Sequence, residues 1–163
     1  MVKCAAESGY QAVVAAPGFC LGVRCGTTQI VEIAFLEPQA EIAPTSPLAK
    51  EAVRQLRAWL TDPSFRFSLP LPPAGTAFQR RVWATIAAIP PGEIRTYGEL
   101  ARDIGSGPRA VGNACGANPW PVVVPCHRVV AAGGRLGGFA RHCDGFLPEV
   151  KRWLLNHERR RAD

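Results

Sequence analysis

Between positions 70 and 75 the chain reads Pro70-Leu71-Pro72-Pro73-Ala74-Gly75. Each proline fixes φ and removes a backbone donor, so this stretch cannot sit inside a helix or a central strand. It is a stiff, extended connector. It therefore divides the chain into segments 1–73 and 74–163, each of which must build its own elements. With 163 residues, the chain is long enough for one ordinary domain or two small ones.

The two sides are patterned differently. Before the connector, Tyr10–Ala15, Phe19–Val23 and Gln29–Leu36 read as strands punctuated by Gly and Pro, which predicts an antiparallel meander. Ser46-Pro47 then supplies a cap residue and a proline at the first helical position. Leu48, Ala52, Leu56, Trp59 and Leu60 follow at helical spacing. Phe65 to Leu69 alternates like a further short strand. After the connector, helices dominate. Thr76 with Gln79, and Thr96 with Glu99, have the form of capping boxes. The first opens a helix with Phe78, Val82, Ile86 and Ile89 on one face, the second a helix to about Ile104. Gly105-Ser106-Gly107 is a tight turn, and Pro108 starts a helix to about Ala117 rich in small residues. Two short helices joined by a Gly-rich turn predict a helix-turn-helix. The second of them is slim enough to approach a backbone or a narrow groove closely. A last amphipathic helix is expected at about Glu149 to His157.

Val122-Val123-Val124 predicts a short buried strand that Pro125 ends. Cys126 is then presented at a bend, with His127 beside it and Arg128 next. A thiol is a strong nucleophile only as thiolate, and a basic or proton-accepting neighbourhood promotes that form. The six cysteines show no secreted-scaffold spacing, no Cys-x-x-Cys pair occurs, and all three histidines lie at 127 or beyond. A cytoplasmic protein with reduced thiols and no metal site is expected. No apolar run reaches membrane-spanning length, so no membrane partner is expected.

Charge is uneven. Segment 1–73 holds six Lys/Arg against six Asp/Glu, whereas 74–163 holds thirteen against seven, so the net +6 lies wholly on the half carrying Cys126. That excess favours a polyanionic partner such as nucleic acid.

Taken in order, Gly75-Thr76, Phe78-Gln79, Val82-Trp83, Ile89-Pro90, Thr96-Tyr97-Gly98, Arg109-Ala110-Val111-Gly112, Asn118-Pro119, Pro125-Cys126-His127-Arg128-Val129 and Trp153-Leu154-Leu155 to Glu158 resemble the O6-alkylguanine-DNA alkyltransferases, also called methylated-DNA–protein-cysteine methyltransferases. The resemblance runs from about Gly75 to Glu158. The first 70 residues resemble the family's N-terminal domain, RNase H-like, in outline only. The resemblance implies an α/β (α+β) fold. A small N-terminal domain with an antiparallel sheet plus helix precedes a helical, helix-turn-helix, winged-helix-like domain for DNA binding and catalysis. It implies direct-reversal repair of duplex DNA containing O6-alkylguanine, with O4-alkylthymine as a further candidate. The alkyl group passes irreversibly to a cysteine, once per molecule, with no cofactor and no obligate protein partner.

By the same resemblance, Cys126 is the alkyl acceptor and His127 the base that deprotonates it through a water. Glu158 orients that histidine, Asn118 braces the bend, and Tyr97 helps rotate the nucleotide out and donates to the leaving base. Arg109 is the finger that replaces the extruded base, with Ala110 and Gly112 on its helix, and with Thr96 and Arg128, as further DNA contacts. Val129, Phe139, Ala140 and Lys151 belong to the substrate pocket. The stretch Phe139 to Phe146 departs from the family pattern, with phenylalanine where tyrosine is usual and several extra residues before Lys151. A lesion-binding sensor without transfer chemistry is the alternative reading. A cysteine hydrolase and a transcriptional regulator fit less of the pattern.

Overall fold

The computed structural model describes residues 9–137 and 145–162, the side chains of residues 161 and 162 excepted. Two compact units meet between Pro73 and Ala74. In the first, β1 (Ala12–Ala16), β2 (Phe19–Cys25) and β3 (Ile30–Leu36) form an antiparallel sheet in the order β1-β2-β3. Ala16 faces Phe19 across the first turn and Cys20 faces Leu36 across the second pairing. Helix α1 (Pro47–Thr61) packs on β1 and β2. Ser46 caps it, its hydroxyl accepting from the Ala49 N–H with Pro47 in the first turn. Ala49, Ala52, Val53, Leu56 and Trp59 line its buried face.

Phe65 to Leu69 does not form the strand that its alternation predicts. The backbone N–H of Ser68 goes to Gln55 Oε1 at 2.9 Å, and the Pro70 carbonyl accepts from Ile30 N–H. Gln55 is buried in α1 and also donates to the Ser68 hydroxyl. A side-chain amide thus takes the place of a strand neighbour.

The second unit opens with α2 (Ala77–Ala87), which has a reciprocal capping box: Thr76 Oγ1 accepts from Gln79 N–H, and Gln79 Oε1 accepts from Thr76 N–H. Val82, Trp83 and Ile86 are buried. The short strand β4 (Arg95–Thr96) runs into α3 (Tyr97–Ile104). Thr96 caps α3 by accepting from Glu99 N–H, while the Glu99 carboxylate turns to Arg95 instead of completing a box. Gly105 ends α3 in the left-handed conformation (φ 74°), which glycine adopts at no steric cost. Helix α4 (Pro108–Gly116) follows, packed on α2 and α3. The Trp83 indole N–H ties α2 to α4 by donating to the Ala114 carbonyl at 2.8 Å.

The predicted strand Val122–Val124 is a turn. Val122 has φ 76°, and Val124 N–H returns to the Trp120 carbonyl. A β-branched residue there costs on the order of 1–3 kcal/mol. Asn118 compensates: its Oδ1 accepts from Trp120 N–H and its Nδ2 donates to the Val124 carbonyl. The chain then makes a single 3-10 turn, Cys126–Arg128, and enters β5 (Val129–Val130), which pairs in parallel with β4. The last helix, α5, spans Phe146–Ala162, longer at both ends than its apolar pattern predicts. No helix among the described residues is long and apolar enough to cross a membrane.

Candidate active site and DNA-binding face

Cys126 is the first residue of the 3-10 turn and is 5% exposed. The Asn118 amide donates to its Sγ at 3.1 Å, from the same nitrogen that holds the Val124 carbonyl. A donor aimed at sulfur favours the thiolate. The thiol of Cys115, in the last turn of α4, neighbours that of Cys126. This neighbour, together with burial, holds the Cys126 thiol well above the usual range, against the pull of Asn118 and the Lys151 charge. The resting Cys126 is therefore a protonated thiol, and it becomes a strong nucleophile only once that proton is taken.

His127 is fully buried, and its Nε2 meets Glu158 Oε1 at 2.7 Å. Burial pushes the imidazole below its ordinary value, and the charges of Arg128 and Lys151 act in the same direction, against Glu158. It is thus neutral near pH 7, the form that can accept a proton. Glu158 stays ionised. Burial disfavours its charge, but His127 and Arg128 outweigh that and lower it to about 2.

Arg128, expected on the DNA, has an interior task. It is 7% exposed; its Nε and Nη2 donate to the Glu158 carboxylate, Nη2 at 2.7 Å, and its Nη1 donates to the Ile89 carbonyl at the end of α2. A planar guanidinium suits this fork-like grip. The signature arginine therefore joins the cysteine turn, α2 and α5, and is not available to a phosphate.

Lys151 is completely buried, and its Nζ donates to the Val129 carbonyl at 2.7 Å while lying 5.7 Å from the centre of the Tyr97 ring. Burial lowers its ammonium to about 8, with the two thiols opposing. Tyr97 and the cysteine turn are brought near each other by the β4–β5 pairing, which sets Thr96 beside Val130. Gly137 comes close to the same ring: a Cβ there would stand 3.3 Å from Tyr97 Cε2. Phe139 and Ala140 lie outside the described residues. Cys115 had no signal in the sequence, since eleven positions separate it from Cys126 and only the folding of Asn118 to Val124 brings the thiols together.

The other expected DNA contacts lie on the helix-turn-helix. Arg109 is exposed in the first turn of α4, and Ala110 and Gly112 are half-buried along it. A Cβ at Gly112 would meet nothing within 4 Å, so internal packing does not require glycine there. Thr96 has its hydroxyl oxygen engaged in capping α3.

Residues 77–160 match the family model for the DNA-binding domain of 6-O-methylguanine DNA methyltransferase. The chain belongs to this family. It is 45% identical over 111 residues to the methylated-DNA--protein-cysteine methyltransferase of Methanosarcina acetivorans, covering 67% of this chain and 68% of that protein. The constitutive methyltransferase of Bacillus subtilis is 42% identical over 70% of this chain and 68% of its own length. Among solved structures, Mycobacterium tuberculosis OGT in complex with DNA superposes with a TM-score of 0.77 at 37% identity, covering 91% of this chain and 92% of that one. As a 6-O-methylguanine DNA methyltransferase relative, the chain carries its family signature on the buried turn just described.

Asn118 is the residue on which that turn most depends. Asn118→Ala leaves the Trp120 N–H and the Val124 carbonyl without their partner and removes the donor to sulfur. The expected loss is about 2 kcal/mol of stability, read as a lower denaturant midpoint at unchanged m-value.

Proposed function

We infer that this protein repairs duplex DNA directly, taking the alkyl group from O6 of a damaged guanine onto Cys126, once per molecule. The observation that carries this reading is the buried acceptor turn. One thiol is held by an amide donor, with a neutral histidine beside it in sequence and a carboxylate behind that histidine. His127 takes the thiol proton through a water, and Glu158 steadies the imidazolium that results. The thiolate attacks the alkyl carbon in line, the S–C bond forms as the C–O6 bond breaks, and the electron pair leaves on guanine. A proton delivered by the Tyr97 hydroxyl neutralises the base. The product is a thioether, for which the site offers no leaving path, so the protein is consumed.

An O6 substituent lies within the base stack, and the nucleotide must rotate out before a buried thiol can reach it. Arg109 fills the space left behind; its exposure at the start of α4 supports this role, and the open surface at Gly112 supports a close approach of the helix to a groove. The free thiols among the described cysteines support a cytoplasmic setting.

The deciding experiment incubates the protein with duplex DNA carrying one O6-methylguanine and maps the added mass by peptide. The methyl group is expected on the peptide holding Cys126. Binding of the lesion with no mass gain would make the protein a sensor. Arg109→Ala separates extrusion from chemistry. Losing the side chain that stacks in place of the base costs about 2 kcal/mol, roughly a 30-fold slower repair of duplex. Reaction with free O6-benzylguanine should be nearly unchanged, and equal losses on both substrates would make Arg109 a general electrostatic contact.

A further inference from the structure

The carboxylate of Glu158 is shared between two side chains. Its Oε1 meets His127 Nε2 and Arg128 Nη2, both at 2.7 Å, and its Oε2 accepts from Arg128 Nε at 2.9 Å. All three residues are buried. Nη1 of the same guanidinium donates to the Ile89 carbonyl at the end of α2, which holds the charge against the carboxylate. Alkyl transfer as inferred above uses His127 and Glu158 but gives Arg128 no task. An ionised carboxylate can only accept, so His127 donates to it from Nε2–H and keeps Nδ1 as its accepting nitrogen. The proton taken from the thiol must therefore arrive at Nδ1.

A carboxylate buried beside a histidine alone would draw a proton onto that histidine. The imidazolium–carboxylate pair is neutral as a unit, whereas a bare buried carboxylate is not. Arg128 changes the sum. Guanidinium, carboxylate and neutral imidazole together carry no net charge, and one more proton on His127 would leave a buried positive charge uncompensated.

We propose that Arg128 is a positioning residue of the proton relay: by claiming the Glu158 charge, it keeps Nδ1 of His127 without a proton until the thiol supplies one. Burial is the chief cause that holds the imidazole below its ordinary value; the Arg128 and Lys151 charges add to it, and Glu158 opposes them. The charged groups acting on His127 are thus Glu158 and Lys151 from α5 and Arg128 from its own turn, while α2 enters through an uncharged group, the Ile89 carbonyl. A general base has to be empty at rest, yet able to hold a proton for as long as the attack lasts. Arg128 serves the first need and Glu158 the second.

The proposal rests on the repair reading, but its first readout does not. Full-length protein is labelled with 15N-histidine, and the imidazoles of its three histidines are assigned and titrated. In the wild type, His127 should carry a proton on Nε2 alone at neutral pH. Arg128→Met removes the charge, and Arg128→Gln does so while keeping a donor for Glu158. In both, Nδ1 of His127 should gain its proton at a higher pH than in the wild type. Arg128→Lys, which retains a charge, should titrate close to the wild type. Methyl transfer by the two neutral variants should be about tenfold slower at about pH 6, since one neighbouring charge is typically worth about a decade in a proton equilibrium. That deficit should narrow as pH rises. A residue that only braced the fold would lower the rate equally at every pH, and that result would overturn the proposal. So would a wild-type His127 protonated on both nitrogens at neutral pH, an observation that needs no variant to fold. A folded neutral variant that titrates as the wild type does, or an Arg128→Lys that titrates as the neutral variants do, would overturn it as well. The expected titrations with no methyl transfer by the wild type would keep the charge assignment and remove the repair reading.

Discussion

Replacing Cys126 with alanine or serine is expected to abolish alkyl transfer while leaving duplex binding in place. Alanine offers no nucleophile. A serine hydroxyl is too weak an acid for a neutral imidazole to ionise appreciably, and alkoxide attack on a methyl ether has no driving force comparable to thioether formation. Binding should persist because the proposed DNA contacts, Arg109, Ala110 and Gly112, lie toward the start of their helix, whereas Cys115 beside the sulfur lies in its last turn. The assay is the mass of denatured protein after incubation with lesion-bearing duplex, paired with a binding isotherm. Transfer surviving in Cys126→Ala would overturn the assignment. The sharpest alternative is methyl appearing on Cys115, the neighbouring thiol, and peptide mapping separates that outcome from a true loss.

Glu158→Gln should have the next largest effect, and in two currencies. The Arg128 guanidinium is buried with this carboxylate as its counter-charge. Neutralising it strands a cation, a change that typically costs about 3–5 kcal/mol. Where the variant is still folded, transfer should slow on the order of 100-fold, because His127 loses the carboxylate that supports its protonated form. Acid stability reports the same group. Glu158 is lowered to about 2 in the folded protein from an ordinary value of 4.5, so the folded state binds its proton less readily than the unfolded chain. The stability this provides is fully present above about pH 4.5 and is lost as pH falls toward about 2. Denaturation curves for wild type should show this slope, and those for Glu158→Gln should lack that contribution. Parallel pH dependences in the two proteins would show that Glu158 is not the linked group.

Much of the framework was readable from local chemistry. Ser46-Pro47 and Thr76 with Gln79 mark helix starts because they satisfy N–H groups that any helix leaves open. What escaped prediction depends on specific side-chain partners that hydrophobic pattern does not reveal. Three consecutive valines favour a strand, yet Asn118 binds both Trp120 N–H and the Val124 carbonyl and makes a turn of them. Phe65 to Leu69 alternates as a strand would, yet a glutamine from α1 occupies the pairing position at Ser68. The positive charge of Arg128 suggested phosphate, but Glu158, thirty residues on, takes that charge inside. The roles of Cys126, His127 and Glu158 could be proposed from their family order. The nearness of Cys115 could not, because it comes into being only with the Asn118 loop.

The lysine and the glutamate that α5 contributes lie seven positions apart, two turns along one buried face, and both meet the segment that holds the acceptor. This has a consequence for how the protein comes into being. Lys151 and Glu158 both belong to α5, so until that helix docks the Cys126 thiol has neither its buried ammonium nor the carboxylate behind its histidine. On the proposed reading, reactivity toward a lesion is therefore set by docking of the final helix and not by the cysteine turn alone. Arg128 and His127 likewise await their counter-charge, so the turn that carries them has little reason to settle earlier. A chain whose last helix is undocked is therefore expected to react slowly at Cys126 even where Arg109 and its helix are already in place.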